Sequence, residues 1–138
     1  MQPSMFGVLL AASLLSTAAL GAPTEPTMAQ MQWHRRVLLV STADADDPQF
    51  RAQQQALSEW TGGDDRDVTV VRVERNGVSG AHADAAELRR RYRLPARSFS
   101  VALIGKEGHV ALRSSTALTA AQLQTAIDAM PMRKAGQR

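Results

Sequence analysis

The stretch RVLLVSTADADDPQF, Arg36 to Phe50, joins the two kinds of element that decide the fold. Its first half is an apolar run rich in leucine and valine, which predicts a buried strand. Its second half places Asp47 at the N-cap and Pro48 in the first turn of a helix, positions that both residue types favour. The stretch therefore predicts a buried strand that is followed directly by a capped helix.

The rest of the chain continues this alternation of strands and helices. The strand DVTVVRVER ends at the turn signal Asn76-Gly77, and the helix after it has Asp84 at its N-cap. The segments SFSVALIG and HVALRS, joined by KEG, predict an antiparallel hairpin, and Thr119 with Gln122 forms a capping box for the last helix. The resulting order β-α-β-α-β-β-α is that of thioredoxin-like domains. It predicts an α/β fold with a four-stranded mixed sheet and helices on both faces.

The first residues predict a cleaved signal peptide. The apolar run MFGVLLAASLLSTAALGA ends in small residues, which places the cut after Gly21 and the signal over residues 1–21. The run is short for a membrane span, which needs about 20 apolar residues, so we expect no stable span after cleavage. An uncleaved anchor is the alternative, because no Lys or Arg precedes the run. The expected location is periplasmic or secreted.

The remainder of the chain is expected to form one domain. Residues 22–32 contain Pro, Thr and Gln and predict a flexible linker. Residues 33–134 are predicted to form the thioredoxin-like domain, and residues 135–138 a disordered tail. A chain of 138 residues is long enough for one ordinary domain and too short for two.

Composition excludes several kinds of chemistry. The chain has no cysteine, so disulfide bonds, a thiol nucleophile and thiol-based redox or peroxidase activity are excluded. The formal net charge is +3, and bases alternate with acids in segments such as DDRD and AELRRR. Such alternation is typical of a solvated surface, and we expect no nucleic-acid partner. No cofactor is expected either.

Four segments carry a resemblance to one known family. WHRRVLLVST, ELRRRYRL, SVALIGKEGHVALR and above all IDAMPMRK resemble the family catalogued as domain of unknown function 4174, from about Trp33 to Lys134. The resemblance implies a thioredoxin-like fold close to the peroxiredoxin branch. It also implies an exported protein, since the family occurs in small exported bacterial proteins and in repeats of vertebrate secreted matrix proteins. It implies no established biochemical activity.

The loop after the first strand is the first candidate site. Asp44, Asp46 and Asp47 occupy the positions where thioredoxin-like enzymes hold their redox cysteine at a helix N-terminus. Three carboxylates could instead bind a hard cation such as calcium or magnesium, or another ligand. The alternative is capping of the helix that follows. Capping is favoured, because one short acidic cluster lacks the full ligand set of a calcium loop, and no metal site is assigned.

No catalytic residue is assigned. His34, His82 and His109 lack the spacing of a metal site, and no serine stands in a nucleophile elbow. The segment GKEGH predicts a hairpin turn in which Lys106 and Glu107 are exposed. In IDAMPMRK, the proline predicts that the last helix ends before it.

The second candidate site is the basic run LRRRYR. Arg89, Arg90 and Arg93 are the candidates for a patch that binds an anionic partner, such as a lipid headgroup, an acidic glycan or an acidic protein. A solvated helix face is the alternative interpretation. Taken together, the sequence predicts a non-enzymatic binding or structural module of the cell envelope, whose partner is another envelope or secreted protein or an anionic surface. A cysteine-independent enzyme or a metal-binding domain that uses the Asp44–Asp47 loop is the alternative.

Overall fold

The computed structural model describes residues 24–136. The predicted signal peptide with its cleavage site, and the last two residues of the predicted tail, lie outside the described residues. No helix within residues 24–136 is both long and apolar enough to cross a membrane. In chain order the elements are α1 (Met28–Met31), β1 (Arg36–Ser41), α2 (Pro48–Glu59), β2 (Val68–Glu74), β3 (Gly77–Ser79), α3 (Ala85–Tyr92), β4 (Ser100–Ile104), β5 (Val110–Ser114), α4 (Ala120–Asp128) and α5 (Pro131–Lys134).

The strands form one mixed sheet in the order β3-β2-β1-β4-β5. Strand β1 is parallel to β2 and antiparallel to β4, and the two outer pairs are antiparallel. The predicted α/β class is confirmed, but the predicted number of four strands is wrong. The turn at Asn76-Gly77 is the tip of a hairpin, after which Val78 pairs with Val73. Strand β3 has only three residues, too few to show the alternating pattern by which a strand is recognised.

Helices cover both faces of the sheet. Side chains alternate between the two faces along a strand, so Val37 and Leu39 of β1 are buried against α1 and α3. Leu38 and Val40 are buried on the other face, against α2 and α4. Burying one such side chain contributes about 1.5–3 kcal/mol. Strand β1 is therefore buried on both faces, and a loop extends from each of its ends.

The segment before β1 differs from the flexible linker predicted over residues 22–32. Thr27 and Gln30 form a capping box for helix α1, and Met31 at its end is buried in the cluster on the α3 face. A helix of four residues is too short to show helical periodicity in the sequence. In the described part of this segment, the linker prediction is corrected to a short helix packed on the domain.

Two further hydrogen bonds attach the same segment to the sheet. The backbone N–H of Gly80 donates to Oε1 of Glu25 at 2.9 Å. The backbone N–H of His82 donates to the carbonyl of Pro26, also at 2.9 Å. Both acceptors precede α1, so the attachment begins several residues before the helix.

The predicted helix caps are confirmed. Asp47 caps α2 and is followed by proline at the first helical position, and Asp84 caps α3. Thr119 and Gln122 form the predicted capping box of α4. In the hairpin turn between β4 and β5, Gly108 has a φ of 96°, a conformation that glycine adopts at little cost.

The predicted end of the last helix is also confirmed, with one addition. Helix α4 ends at Asp128, before the proline. Pro131 then occupies the first position of the additional short helix α5, with Met130 as its N-cap residue. Met130 is 9% exposed and lies in the cluster on the α4 face. The proline therefore both stops one helix and starts the next.

Candidate functional site

A groove of about 690 Å³ lies between the loop after β1 and the hairpin of β2 and β3. We refer to it as the hairpin groove. Its lining combines charged side chains, polar side chains and three small or apolar ones. The lining residues are Thr42, Ala43, Asp44, Ala45, Arg72, Glu74, Arg75, Asn76, Gly77, Val78 and Ser79.

The hairpin groove lies at the carboxyl ends of the two parallel strands. Strand β1 ends at Ser41, and the N–H of the next residue, Thr42, donates to the carbonyl of Val73 near the end of β2 at 3.0 Å. The Thr42 hydroxyl donates to the carbonyl of Asp44 at 2.7 Å, which holds the loop in a tight turn. In open α/β sheets, ligands bind in the crevice outside the carboxyl ends of the strands.

Arginine side chains contribute positive charge to this groove. Arg72 stands opposite Val40 in the register, so its side chain lies on the face covered by α2. Its Nε atom is buried and has no hydrogen-bond partner within the described residues. Arg75 is exposed at the tip of the hairpin. Asp44 and Glu74 also line the groove, so its charges are mixed.

The three aspartates predicted as ligands make local contacts around the N-terminus of α2. Oδ1 of Asp47 accepts a hydrogen bond from the N–H of Gln49 at 2.8 Å. Oδ1 of Asp44 accepts one from the N–H of Asp46 at 2.9 Å, and Arg51 donates to Oδ1 of Asp46 at 3.2 Å. These contacts favour the capping interpretation, and of the three aspartates Asp44 lines the hairpin groove.

The described part of the chain contains no group of three or more His, Asp or Glu side chains arranged to hold a metal ion. The histidines are also apart from the grooves, since His34, His82 and His109 line neither the hairpin groove nor the second groove described below. Calorimetry with calcium and magnesium is the direct test of the remaining metal hypothesis at Asp44, Asp46 and Asp47.

A second groove, of about 250 Å³, lies where α3 ends and β4 begins. We refer to it as the serine groove. It contains two arginines and four serines, and no carboxylate belongs to its lining. The lining residues are Arg93, Pro95, Ser98, Phe99, Ser100, Arg113, Ser114 and Ser115. Because Ser100 pairs with Ser41, this groove lies beside the same end of β1 as the hairpin groove.

The three arginines predicted as one anionic-partner patch, Arg89, Arg90 and Arg93, have different surroundings in the structure. Nη2 of Arg89 donates to the carbonyl of Glu74 at 2.7 Å, at the end of β2. Arg90 is exposed on α3, and Arg93 lines the serine groove with Arg113 from β5. The arginines that line the two grooves are called the carboxyl-end arginines below. They are Arg72, Arg75, Arg93 and Arg113, and within residues 24–136 none of them forms an ion pair.

The opposite end of β1 carries a group of paired charges, which we call the amino-end network. Its cations are Arg35, Arg66, Lys106 and Arg133, and its anions are Asp65, Asp67 and Asp128. Nζ of Lys106 donates to Oδ2 of Asp67 at 2.9 Å. Nε and Nη2 of Arg66 each donate to one oxygen of the Asp128 carboxylate at 3.0 Å in a bidentate pair.

Lys106 corrects a prediction made for the hairpin turn. The sequence predicted an exposed lysine, but Lys106 is only 5% exposed, and its ammonium donates to Asp67. A buried neighbour, Arg36, is 1% exposed and donates from Nη1 to the carbonyl of Arg66 at 2.7 Å. Its Nε and Nη2 have no partner within the described residues. Burial lowers the pKa of Arg36, and the positive charge of Arg133 acts in the same direction.

The amino-end network includes two residues of the motif IDAMPMRK, Asp128 and Arg133. The hydrogen bond from Arg66 holds the pKa of Asp128 below its ordinary value. Arg133 donates to Asp65 at 2.7 Å, a hydrogen bond that raises the pKa of Arg133, and it also approaches Asp128 at 3.4 Å. Arg133 and Arg66 thus both pair with Asp128. These residues join α4 and α5 to the loop before β2.

Sequence reasoning missed three of the four carboxyl-end arginines. Arg72 and Arg113 lie within segments recognised as strands, and Arg75 lies at a recognised turn. A signal was present, because a single arginine interrupts an apolar run in both VTVVRVE and VALRS. Whether such an arginine is paired depends on tertiary contacts that no local pattern reports.

The fold and the grooves define an α/β domain with a five-stranded mixed sheet and two open grooves at the carboxyl end of its central strand. A family model described as "Domain of unknown function (DUF4174)" matches residues 27–136, and the chain belongs to this family. The match includes helix α1, which the sequence interpretation had placed outside the domain. No curated protein in the comparison matches the chain.

Proposed function

We propose that this protein is an exported, thioredoxin-like binding module of the cell envelope that does not catalyse a reaction. Its ligand site is the hairpin groove, and its partner is an extended segment of another envelope or secreted protein. The observation that carries the proposal is the location of the hairpin groove at the carboxyl ends of β1 and β2, where α/β sheets bind ligands.

The thioredoxin-like relationship is supported by the order of the elements. When α1, β3 and α5 are set aside, the described chain runs β1-α2-β2-α3-β4-β5-α4. This is the β-α-β-α-β-β-α order of thioredoxin-like domains. Export is supported by the apolar run and small residues at the start of the sequence.

Binding without catalysis is supported by the chemistry of the lining. General acid–base catalysis depends on a titratable group within hydrogen-bond reach of the substrate, most often histidine. The chain has no cysteine, and its three histidines lie outside the lining. The Thr42 hydroxyl already bonds to the Asp44 carbonyl, and no base contacts it within the described residues. Asp44 and Glu74 supply carboxylates to the groove, but within the described residues no hydroxyl of its lining is hydrogen-bonded to a side-chain base that would activate it as a nucleophile.

An extended polypeptide suits the geometry and the mixed charge of this groove. Strand β3 is at the edge of the sheet, and an edge strand can pair with a segment of another chain through backbone hydrogen bonds. Arg72 and Arg75 supply donors for acidic side chains of that segment, whereas Asp44 and Glu74 supply acceptors for basic ones. Backbone pairing gives affinity in this mode, and the side chains give selectivity.

Site-specific cross-linking in the native envelope tests the proposal. The photoreactive residue benzoylphenylalanine replaces Ser79, which is exposed on β3 and lines the groove. The matched control places it at Ala111, which is exposed on β5, the opposite edge strand. We expect a discrete exported protein to be captured from Ser79 and not from Ala111.

A second substitution connects the capture to the groove. Arg72→Gln removes one of the two positive charges that line it, and we expect capture from Ser79 to fall, whereas Arg90→Gln on exposed α3 should leave it unchanged. The captured segment, identified by mass spectrometry, should be extended and should carry charged side chains. Equal capture from both edge strands, or capture that is indifferent to Arg72, would refute the hairpin groove as the binding site.

A further inference from the structure

We propose that Arg93 and Arg113 form a binding site for an oxyanion, a phosphate or sulfate group, in the serine groove. This site is separate from the hairpin groove and takes a different chemical class of ligand. It stands on different residues from the protein–protein contact proposed above, so either proposal can fail without the other.

The first argument is the composition of the serine groove. Two guanidinium groups and the hydroxyls of four serines line a volume of about 250 Å³, without a carboxylate. Arginine presents a planar set of N–H donors that matches an oxyanion, and serine hydroxyls donate hydrogen bonds. Pro95 and Phe99 also line the groove, but its only charged side chains are the two arginines, and positive charge without a carboxylate favours an anion over a cation.

The second argument is that both arginines lack a partner in the domain. Within residues 24–136, Arg93 and Arg113 make no side-chain hydrogen bond or ion pair. Arg113 lies opposite Ala102 in the register, and Ala102 belongs to the cluster on the α3 face. Cross-strand partners share a face, so Arg113 is on the same side of the sheet as the end of α3. Two free guanidinium groups from separate elements thus meet at one groove.

The third argument is the backbone conformation of Arg93. It ends α3 in the left-handed region, with a φ of 53° and a ψ of 48°. Helices commonly end in this conformation with glycine, because a residue with a Cβ is strained there. Within residues 24–136 the Arg93 side chain makes no hydrogen bond or ion pair that would offset this strain. A side chain that costs stability and has no internal partner is expected to act on a ligand.

The bound oxyanion would be held as follows. The two guanidinium groups donate charge-assisted hydrogen bonds to its oxygens, and serine hydroxyls donate to the remaining ones. Ser114 already donates to the carbonyl of Thr116 at 2.7 Å, so Ser98, Ser100 and Ser115 are the available hydroxyls. No covalent step is involved, and the anion is released unchanged.

Calorimetric titration of the purified full-length protein with inorganic phosphate, and separately with sulfate, tests the site at low ionic strength. Arg113→Gln should weaken binding by about tenfold, the effect of losing one charge-assisted hydrogen bond. Arg93→Gly should weaken binding similarly but raise the melting temperature, because glycine relieves the left-handed strain. This opposition of affinity and stability is not expected of a residue with a structural role.

Arg90→Gln is the matched control, since it removes one positive charge from an exposed position outside the groove. It should leave the affinity unchanged. Wild-type protein that binds neither anion would refute the site. So would an Arg90→Gln variant as weak as Arg113→Gln, because the effect would then be that of net charge alone.

The source of the anion is distinguished in a separate arm with vesicles that contain phosphatidylglycerol. Sedimentation of wild-type protein with the vesicles, but not of the Arg113→Gln variant, assigns the site to a lipid headgroup. Phosphate binding without sedimentation assigns it to a soluble phosphate. Both outcomes require Arg113 and support the site, whereas sedimentation that is the same for both proteins contradicts it.

Discussion

The two ends of the central strand carry similar numbers of cations but use them differently. In the amino-end network, every arginine or lysine side chain forms an ion pair with an aspartate, and Lys106 is buried beside its half-buried partner Asp67. The carboxyl-end arginines have no ion pair within the described residues, although the Nε of Arg72 is buried. Paired charges join elements to one another, whereas unpaired donors beside an open groove remain able to bind a partner.

This contrast gives a way to interpret charged residues in a domain without catalytic signatures. An arginine that already meets an aspartate contributes to stability, and a substitution there is expected to lower the melting temperature. An arginine without a partner contributes little to stability, so a substitution is expected to affect binding instead. Stability measurements therefore test the comparison at both ends.

The largest effect is expected for Met130→Asp. This substitution tests the apolar cluster on the α4 face, which Met130 joins at the start of α5. The side chain is 9% exposed in an apolar cluster, so a carboxylate there is desolvated without a partner. We expect the free energy of unfolding to fall by about 4 kcal/mol. Chemical denaturation measures this value. Arg133→Ala is the comparison variant and should be less damaging, and equal melting temperatures for the two variants would contradict this account.

Asp67→Asn is expected to have the next largest effect, because it leaves Lys106 buried without its counter-charge. Breaking a buried pair from one side costs about 3 kcal/mol. Asparagine is chosen because position 67 has a φ of 51°, a conformation that asparagine tolerates. Thermal and urea denaturation measure the loss. If Asp67→Asn were as stable as the wild type, the ion pairs of the amino-end network would not be stabilising, and the contrast with the carboxyl-end arginines would fail.

Asp128→Asn should have a smaller and pH-dependent effect. Arg66 lowers the pKa of Asp128, so its ionised form is favoured by folding, and this contribution is present above the ordinary pKa of 3.8. It is lost as the pH falls through the lowered folded value. At neutral pH we expect a loss of about 1 kcal/mol, the upper range for an exposed pair. Melting curves of both proteins should converge on acidification, and a constant difference at all pH values would argue against the pair.

The smallest effect on stability is expected at the carboxyl end. Arg75→Gln and Arg113→Gln remove exposed side chains that make no hydrogen bond or ion pair within residues 24–136, so the free energy of unfolding should change by less than about 0.5 kcal/mol. Denaturation of both variants beside Asp67→Asn measures the contrast directly. A loss as large as that of Asp67→Asn would show that these arginines are structural after all.

Most of the fold could be predicted from local patterns, since strands β1, β2, β4 and β5 and the caps of α2, α3 and α4 each have a signal within a few residues. The caps at Asp47 and Asp84 are examples, because a cap is made within one helical turn. Strand β3 and helix α1 were missed because each has only three or four residues. Short elements are stabilised by tertiary contacts, which leave no periodic trace in the sequence.

The candidate site could be predicted only in part. The loop that contains Asp44 was identified, because it follows a recognised strand and precedes a recognised helix. Two of the carboxyl-end arginines, Arg72 and Arg113, come from strands β2 and β5, which lie on opposite sides of β1 in the sheet. Lys106 is the opposite case: its turn sequence predicted an exposed side chain, but it is buried against Asp67, which belongs to a loop distant in sequence. Pairing across the fold decides these roles, and it follows from topology rather than from neighbours in sequence.

The attachment of residues 25–31 has a consequence for how this domain can be combined with other proteins. Glu25 and Pro26 bind the segment after β3, and Met31 fills part of the core, so these residues belong to the unit that folds. A gene rearrangement that joined another domain at Trp33 would remove helix α1 and the buried Met31 from the face of the sheet that they cover. A junction before Glu25 would keep both in place. The folding unit therefore begins no later than Glu25, about ten residues ahead of the first strand.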